Sequence, residues 1–278
     1  MKVRLTADPA EFKAITFPFL QRDPVLHSYI LSNTADRVDG ILHDPAPPLF
    51  LSIHDDPGEV VGAVFCTALR GIQLGALPDA LVPAIADICA DQAPDPDTIA
   101  GTATAARQLA ELRAARTGKT FHQTLGMRLH KLGTFVEQHA TGTARQAVAA
   151  DLEVVVSLLA AYGTELGHPL PPDEQYRWGS TRIERGRVWL WEDGGRVVSV
   201  VGHQETLFNA TRVGPVYTPP SARGHGYASA LTAHVTKHLQ ATGSEVCLNT
   251  DLANPTSNKI YAAIGYRPLV DFVVYELR

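Results

Sequence analysis

Val213-Gly214-Pro215-Val216-Tyr217-Thr218-Pro219-Pro220-Ser221-Ala222-Arg223-Gly224-His225-Gly226-Tyr227-Ala228 reads as a strand, then a glycine loop, then a helix continuing to about Gln240. Glycines at 224 and 226 let the backbone take conformations that turn successive N–H groups toward one point. The helix that starts there adds its own unpaired N–H groups and the positive end of its dipole. The result is a cradle for an anion, and Arg223 at its lip adds a full positive charge.

Spacing separates the phosphate-binding patterns that could fit. A P-loop needs G-x-x-x-x-G-K-[ST]; Gly118-Lys119-Thr120 supplies its end, but Arg113 stands where the first glycine belongs. A dinucleotide fingerprint needs glycine at 229, where the chain has Ser229, and a tighter exit from the strand than Pro219-Pro220 permits. Asp251, downstream, keeps a nucleotide-dependent oxidoreductase open as an alternative.

A second stretch narrows the choice. After a strand read from Glu245 to Asp251 comes Asn254-Pro255-Thr256-Ser257-Asn258-Lys259-Ile260-Tyr261-Ala262-Ala263-Ile264-Gly265-Tyr266. R-G-x-G-x-A after V-Y-x-x-P, followed by N-x-x-S-x-x-x-Y-x-x-x-G-[FY], resembles the GNAT superfamily of acyl-CoA-dependent N-acyltransferases. The resemblance implies that Val216, Tyr217 and Thr218 pair with the pantetheine amides. It also implies that Arg223, Gly224, His225, Gly226, Tyr227 and Ala228 form the pyrophosphate loop, through backbone N–H groups at Gly224, Gly226, Tyr227 and Ala228. Asn254 and Asn258 are expected to border the coenzyme, with the Tyr261 hydroxyl near the thioester sulfur, where a phenol can protonate a leaving thiolate. The base that takes the acceptor's proton is not fixed by the motif; Glu205, with His203 beside it, is the candidate.

Outward from these motifs, the chain reads as two passes through one pattern. Residues 49–54 and 59–67 flank the turn Asp55-Asp56-Pro57-Gly58, and 188–191 and 196–203 flank Asp193-Gly194-Gly195, two hairpin signals. Glu59-Val60-Val61-Gly62-Ala63-Val64 corresponds to Arg196-Val197-Val198-Ser199-Val200-Val201 at an offset of 137, and Gly75-Ala76 to Gly214-Pro215 at 139. A near-constant offset across two elements points to an internal duplication. Helices are expected from Pro9, from Pro24, over 78–91, 102–116, 151–166 and 172–185, a third short strand over 72–77, a loop at 93–97 and a long strand over 119–132. The polar stretch 137–143 places a domain boundary between 1–136 and 144–278. The first domain has Pro78-Asp79-Ala80-Leu81 in place of the glycine loop and no tyrosine in its last helix, so it reads as a degenerate repeat. The expected fold class is mixed α/β: two GNAT-like domains, each a mostly antiparallel twisted sheet flanked by helices.

Composition bounds the rest. The chain has 278 residues, room for two cores, with 45% hydrophobic residues and 24 Lys+Arg against 29 Asp+Glu, a net charge of −5. That sign disfavours nucleic acid as a partner. Cys66, Cys89 and Cys247 are scattered and odd in number, which suggests neither a disulfide framework nor a zinc site and fits a reducing cytosol. No apolar leader or membrane-length run is seen. His234 and His238 are spaced i,i+4 but have Val235 where a zinc protease places its Glu, so no metal is expected. Trp189 and Trp191 alternate as a packed strand face, with Trp178 as a further pocket-lining candidate. The expectation is an N-acetyltransferase in the cytoplasm, using acetyl-CoA and a small-molecule or protein amine, with homo-oligomerisation open. A non-catalytic acyl-CoA sensor is the other alternative.

Overall fold

A computed structural model describes residues 2–68, 70–75, 77–92, 97–167 and 171–278. The expected loop at 93–96 and Ala76 lie outside them. The first half of the chain runs β1 (Lys2–Thr6), α1 (Pro9–Leu20), α2 (Ser28–Val38), β2 (Leu49–His54), β3 (Val60–Thr67), β4 (Gly71–Gln73), α3 (Val82–Gln92), β5 (Thr98–Thr102), α4 (Ala103–Thr117) and β6 (Phe121–Leu132). The second runs β7 (Thr143–Gln146), α5 (Leu152–Glu165), α6 (Pro172–Glu184), β8 (Val188–Asp193), β9 (Arg196–His203), β10 (Ala210–Tyr217), α7 (Tyr227–Ala241), β11 (Glu245–Asp251), α8 (Pro255–Ile264) and β12 (Tyr266–Leu277). Among the described residues the two halves match element for element, as the offsets at the hairpins imply.

Local chemistry accounts for the boundaries. The Asp8 side chain accepts from the Ala10 N–H at 2.8 Å and Pro9 opens α1, so the helix starts with one of its unpaired donors satisfied. Gly194 and Gly195 take φ of +55° and +74° to close the β8–β9 hairpin. Three strands, β5, β7 and β12, were not expected from the sequence, and β4 ends at Gln73 rather than near residue 77.

The chain forms two compact units, and they interleave in sequence. One comprises Met1–Leu129, Thr250–Asn254 and Pro268–Arg278; the other, His130–Asn249 and Pro255–Arg267. The contiguous division at 1–136 and 144–278 therefore does not describe the contacts, because the final strand packs with the first half. β12 pairs antiparallel with β5 from Phe272↔Thr102 to Glu276↔Thr98. Its Val273, Tyr275 and Leu277 are buried with Ile72, Ile99 and Leu109. Conversely, the end of β6 and the stretch after it belong to the second unit, where Lys131 Nζ lies 2.6 Å from Glu245 Oε1 and the Val136 N–H donates to the Ile264 carbonyl at 2.8 Å.

Each unit is a mixed sheet. In the first, β1–β2, β2–β3 and β3–β4 are antiparallel and β4–β5 parallel. In the second, β7–β8, β8–β9 and β9–β10 are antiparallel and β10–β11 parallel. One face of the second unit's sheet is covered by α7 and α8, whose Leu231, Val235, Tyr261 and Ile264 are buried with Val201, Val213, Val246 and Leu248. On the other face Val155 and Leu158 of α5 and Ile183 of α6 are buried with Leu190 and Val200. Among the described residues no helix is long and apolar enough to cross a membrane.

Leu277 is 2% exposed in the first unit's core. Leu277→Ala should cost about 2–4 kcal/mol of unfolding free energy. In hydrogen exchange the lost protection should appear in β4 and β5 of the first half rather than in β7 and β8; protection lost only near residue 277 would contradict this assignment of the final strand.

Candidate functional site

The strands β10 and β11 pair from Ala210↔Glu245 to Val213↔Leu248. Beyond that pair, among the described residues, β10 stays in register with β9 through Val216↔Val201 and Tyr217↔Val200 but no longer pairs with β11. Gly214, with φ of +143°, sits at the register shift between Val213 and Val216, and a Cβ added there would meet no atom within 4 Å. Two parallel strands that part in this way leave main-chain donors and acceptors facing a gap, and such groups require partners.

At the end of β10 the gap meets the glycine loop. Gly224 and Gly226 have φ of +85° and +81°, and Gly226 is the residue before the first turn of α7. The first N–H groups of α7, from Tyr227 to Ser229, have no carbonyl within the helix to bond. Residues 223 to 226 are exposed, so the cradle is accessible. The positive-φ glycines and the helix start expected from the sequence are thus present.

Arg223 departs from the expectation. Its Nη2 lies 2.6 Å from Glu165 Oε2, its Nε donates to the Thr218 carbonyl at 2.9 Å, and its guanidinium sits 5.8 Å from the centre of the Tyr217 ring. The charge thus ties the loop to the end of α5 rather than standing free at the lip. Thr218 Oγ1 donates to Ser199 Oγ at 2.8 Å, and that hydroxyl donates to the Tyr217 carbonyl at 3.1 Å, which fixes the strand end. Tyr227 donates its hydroxyl proton to Asp193, which raises the phenol pKa and lowers that of the carboxyl, and the His225 ring stacks on it at 5.4 Å.

Tyr261 on α8 is buried, and its hydroxyl makes no hydrogen bond among the described residues. Burial, and then the neighbouring Tyr162, pushes its pKa upward, so the phenol keeps its proton at neutral pH. Tyr162 on α5 meets the Tyr217 ring edge-on at 6.0 Å. Tyr261, Tyr162 and the glycine loop are therefore held in one unit. Asn258 lies half-buried on α8, while Asn254 is exposed and belongs to the first unit by its contacts.

Glu205, on the loop after β9, has Oε1 3.4 Å from Arg187 Nη2. His203 is mostly buried, and burial depresses its pKa, with the charge on Arg187 acting in the same direction. Its Nδ1 donates to the Gln204 carbonyl at 3.0 Å. His234 and His238 flank the buried Trp189 at 5.2 and 4.9 Å, so they are a ring cluster rather than a merely solvated face. Trp189 and Trp191 are core residues, and Trp178 reaches the site: a Cβ on Gly202 would lie 3.1 Å from Trp178 Cη2 and 3.2 Å from Pro215 Cδ. The three cysteines are buried and none forms a disulfide; burial pushes the Cys66 thiol up to about 12 and Cys89 to about 11.

Residues 152–266 match the acetyltransferase (GNAT) family, and the match contains the parted strands, the glycine loop and Tyr261. They form a GNAT domain. The whole chain also aligns with solved structures of this fold. One is an acetyltransferase of the GNAT family from Colwellia psychrerythraea, 14% identical, covering 100% of this chain and 99% of that one with a TM-score of 0.66. Another is a GCN5-related N-acetyltransferase from Sphaerobacter thermophilus, 16% identical, covering 98% and 94% with a TM-score of 0.61. A third is a tandem GNAT protein from the clavulanic acid biosynthesis pathway, 14% identical, covering 100% and 98% with a TM-score of 0.60. At these identities the likeness is one of fold. Among curated proteins, none is matched by sequence.

Several residues of the GNAT domain were not legible as functional. Glu165 stands 58 positions before the arginine it holds, and Ser199 and Tyr162 read in sequence as ordinary strand and helix residues.

A histidine whose folded pKa is depressed binds its proton more readily in the unfolded chain, so it destabilises the fold as pH falls below the ordinary value of 6.5. The unfolding midpoint should therefore drop between about pH 6.5 and 5, and His203→Gln should flatten that slope while leaving the midpoint at pH 8 nearly unchanged. Equal slopes for the two proteins would show that other groups set the acid sensitivity.

Proposed function

We propose that the GNAT domain transfers an acyl group, acetyl in the first instance, from acyl-coenzyme A to a primary amine by direct attack within a ternary complex. The observation that carries this reading is the parting of β10 and β11 beside the bulge at Gly214, with the glycine cradle at one end of the gap and the free Tyr261 hydroxyl among the buried groups of α8. Backbone groups of Val216 to Thr218 have the extended geometry to pair with an amide-containing arm. The N–H groups at Gly224, Gly226, Tyr227 and Ala228 suit a pyrophosphate. Asn254 and Asn258 border the same end of α8 in sequence.

In this reading the amine nitrogen forms the C–N bond with the thioester carbonyl carbon, the C–S bond breaks, and its electron pair stays on sulfur. Tyr261, held neutral by burial, gives its proton to that sulfur. The proton lost by the nitrogen restores the phenol by way of the Glu205 carboxylate. No cysteine is used: the raised thiols of Cys66 and Cys89 make poor nucleophiles.

The first unit is read as non-binding in this manner. β4 stops at Gln73, a helical turn at Asp79–Leu81 precedes α3, and a Cβ on Gly75 would collide with Ile30 Cδ1. Asp79 also places a negative charge where an anion would have to sit.

Acetyl-CoA should raise the thermal midpoint of the wild type, and Gly226→Trp should abolish the shift without lowering the midpoint of the unliganded protein by more than a few degrees. Stabilisation by NAD(P) and none by any acyl-CoA would reject the reading. With a turned-over amine, Tyr261→Phe should lower kcat by about 100-fold while acetyl-CoA affinity stays within about threefold of wild type.

A further inference from the structure

The GNAT domain has a polar group that none of the roles above uses. Asn249 on β11 is the first residue after the last β10–β11 pair, Val213↔Leu248. Its Oδ1 is buried and has no hydrogen-bond partner among the described residues. A carbonyl acceptor shut away from water and left unpaired is costly, and an N–H brought by a ligand would satisfy it.

Its surroundings say what kind of ligand. Val246 and Leu248 turn into the core beneath α7, so strand alternation directs Asn249 to the opposite face, the one covered by α5 and α6. Continuing the register by one residue sets Asn249 across from Gly214, where there is no side chain and an added Cβ meets nothing within 4 Å. Arg212, two pairs back, shares that face by the same alternation, and its charge is felt by Tyr162, which in turn is felt by Tyr261. The acceptor oxygen therefore stands at the fork of the two strands, beside open space, on the side of the sheet not filled by α7 and α8.

We propose that the Asn249 side-chain carbonyl receives an N–H of the acceptor amine and positions its nitrogen at the fork of β10 and β11, which makes Asn249 a positioning residue for the nucleophile. The inference rests on the acyltransferase reading and adds the side from which the acceptor enters. A neutral amide suits this role because it accepts from an amine N–H without holding the nitrogen as an ammonium ion, and the nearby Arg212 charge further favours the neutral, nucleophilic form. No bond to Asn249 is made or broken.

The test uses the full-length protein and a panel of spermidine, tyramine, glucosamine, lysine and a peptide with a free N-terminus, with acetyl-CoA as donor. Calorimetry of acetyl-CoA binding is run first, because absent binding by the wild type rejects the acyltransferase reading and this inference with it. With the panel amine that turns over fastest, Asn249→Leu should raise KM for the amine at least about tenfold while KM and Kd for acetyl-CoA stay within about threefold. Asn249→Asp, which keeps an acceptor oxygen, should restore the amine KM to within about threefold of wild type. An unchanged amine KM in Asn249→Leu, a parallel loss of acetyl-CoA affinity, or acetyl-CoA binding by the wild type with no turnover of any panel amine would each overturn the assignment.

Discussion

Main-chain hydrogen bonding is the constraint on which the second unit turns. A parallel pair of strands is stable because each N–H and C=O finds a partner, and β10 and β11 give up that pairing after four residues. The separation is sustained from both sides: β10 remains tied to β9 through Val216 and Tyr217, and the Ser199 hydroxyl holds the Tyr217 carbonyl. The bulge at Gly214 takes up the change of register, in a conformation that a side chain would resist. What is left is a slot of main-chain polarity with a helix N-terminus at one end.

The remaining features follow from that slot. The loop needs glycine at 224 and 226 for its φ values rather than for space, since the nearest atoms to a Cβ on Gly226 are 3.6 and 3.7 Å away in His139 and Ala140. Arg223 then acts as a brace: its guanidinium reaches the Thr218 carbonyl and Glu165, linking strand end, loop and α5. An exposed ion pair of this kind adds little stability, roughly 0–1 kcal/mol, so its value lies in holding the loop's shape. The residues 136–142 add a second support in the same unit. There Gln138 reaches the Ala263 carbonyl of α8 at 3.1 Å and Ser229 of α7 at 3.4 Å, and Trp191 Nε1 donates to the Thr141 carbonyl at 2.7 Å.

Sequence revealed what is local and left obscure what is tertiary. The hairpins at 55–58 and 193–195, the glycine loop and the α8 motif all carry their signal within a few residues, and the structure contains each of them. The repeated order of elements was visible because valine-rich strands and glycines kept their spacing. β5 was missed because its five residues run directly into α4, with Thr102 ending the strand and preceding the helix, so no turn residue marks the boundary. β7 is four residues long and mostly polar, below the length at which alternation is readable. The placement of β12 with the first half could not be read at all, since pairing partners 170 to 178 positions apart leave no periodic trace. Charge pairs were equally hidden: a lone arginine beside two glycines looks like a phosphate ligand until Glu165 is found opposite it.

The interleaving of the two units also orders events during synthesis. The first unit contains β5 and, 170 or more positions later, β12, so its sheet cannot be completed until β12 has left the ribosome. A nascent first half would carry Ile72, Ile99 and Leu109 with part of their cover missing, and β5 with one edge unpaired. The second unit's residues 130–249 and 255–267 are all available before that closing strand emerges. The half written first is thereby the half finished last, and its maturation is bound to translation of the other.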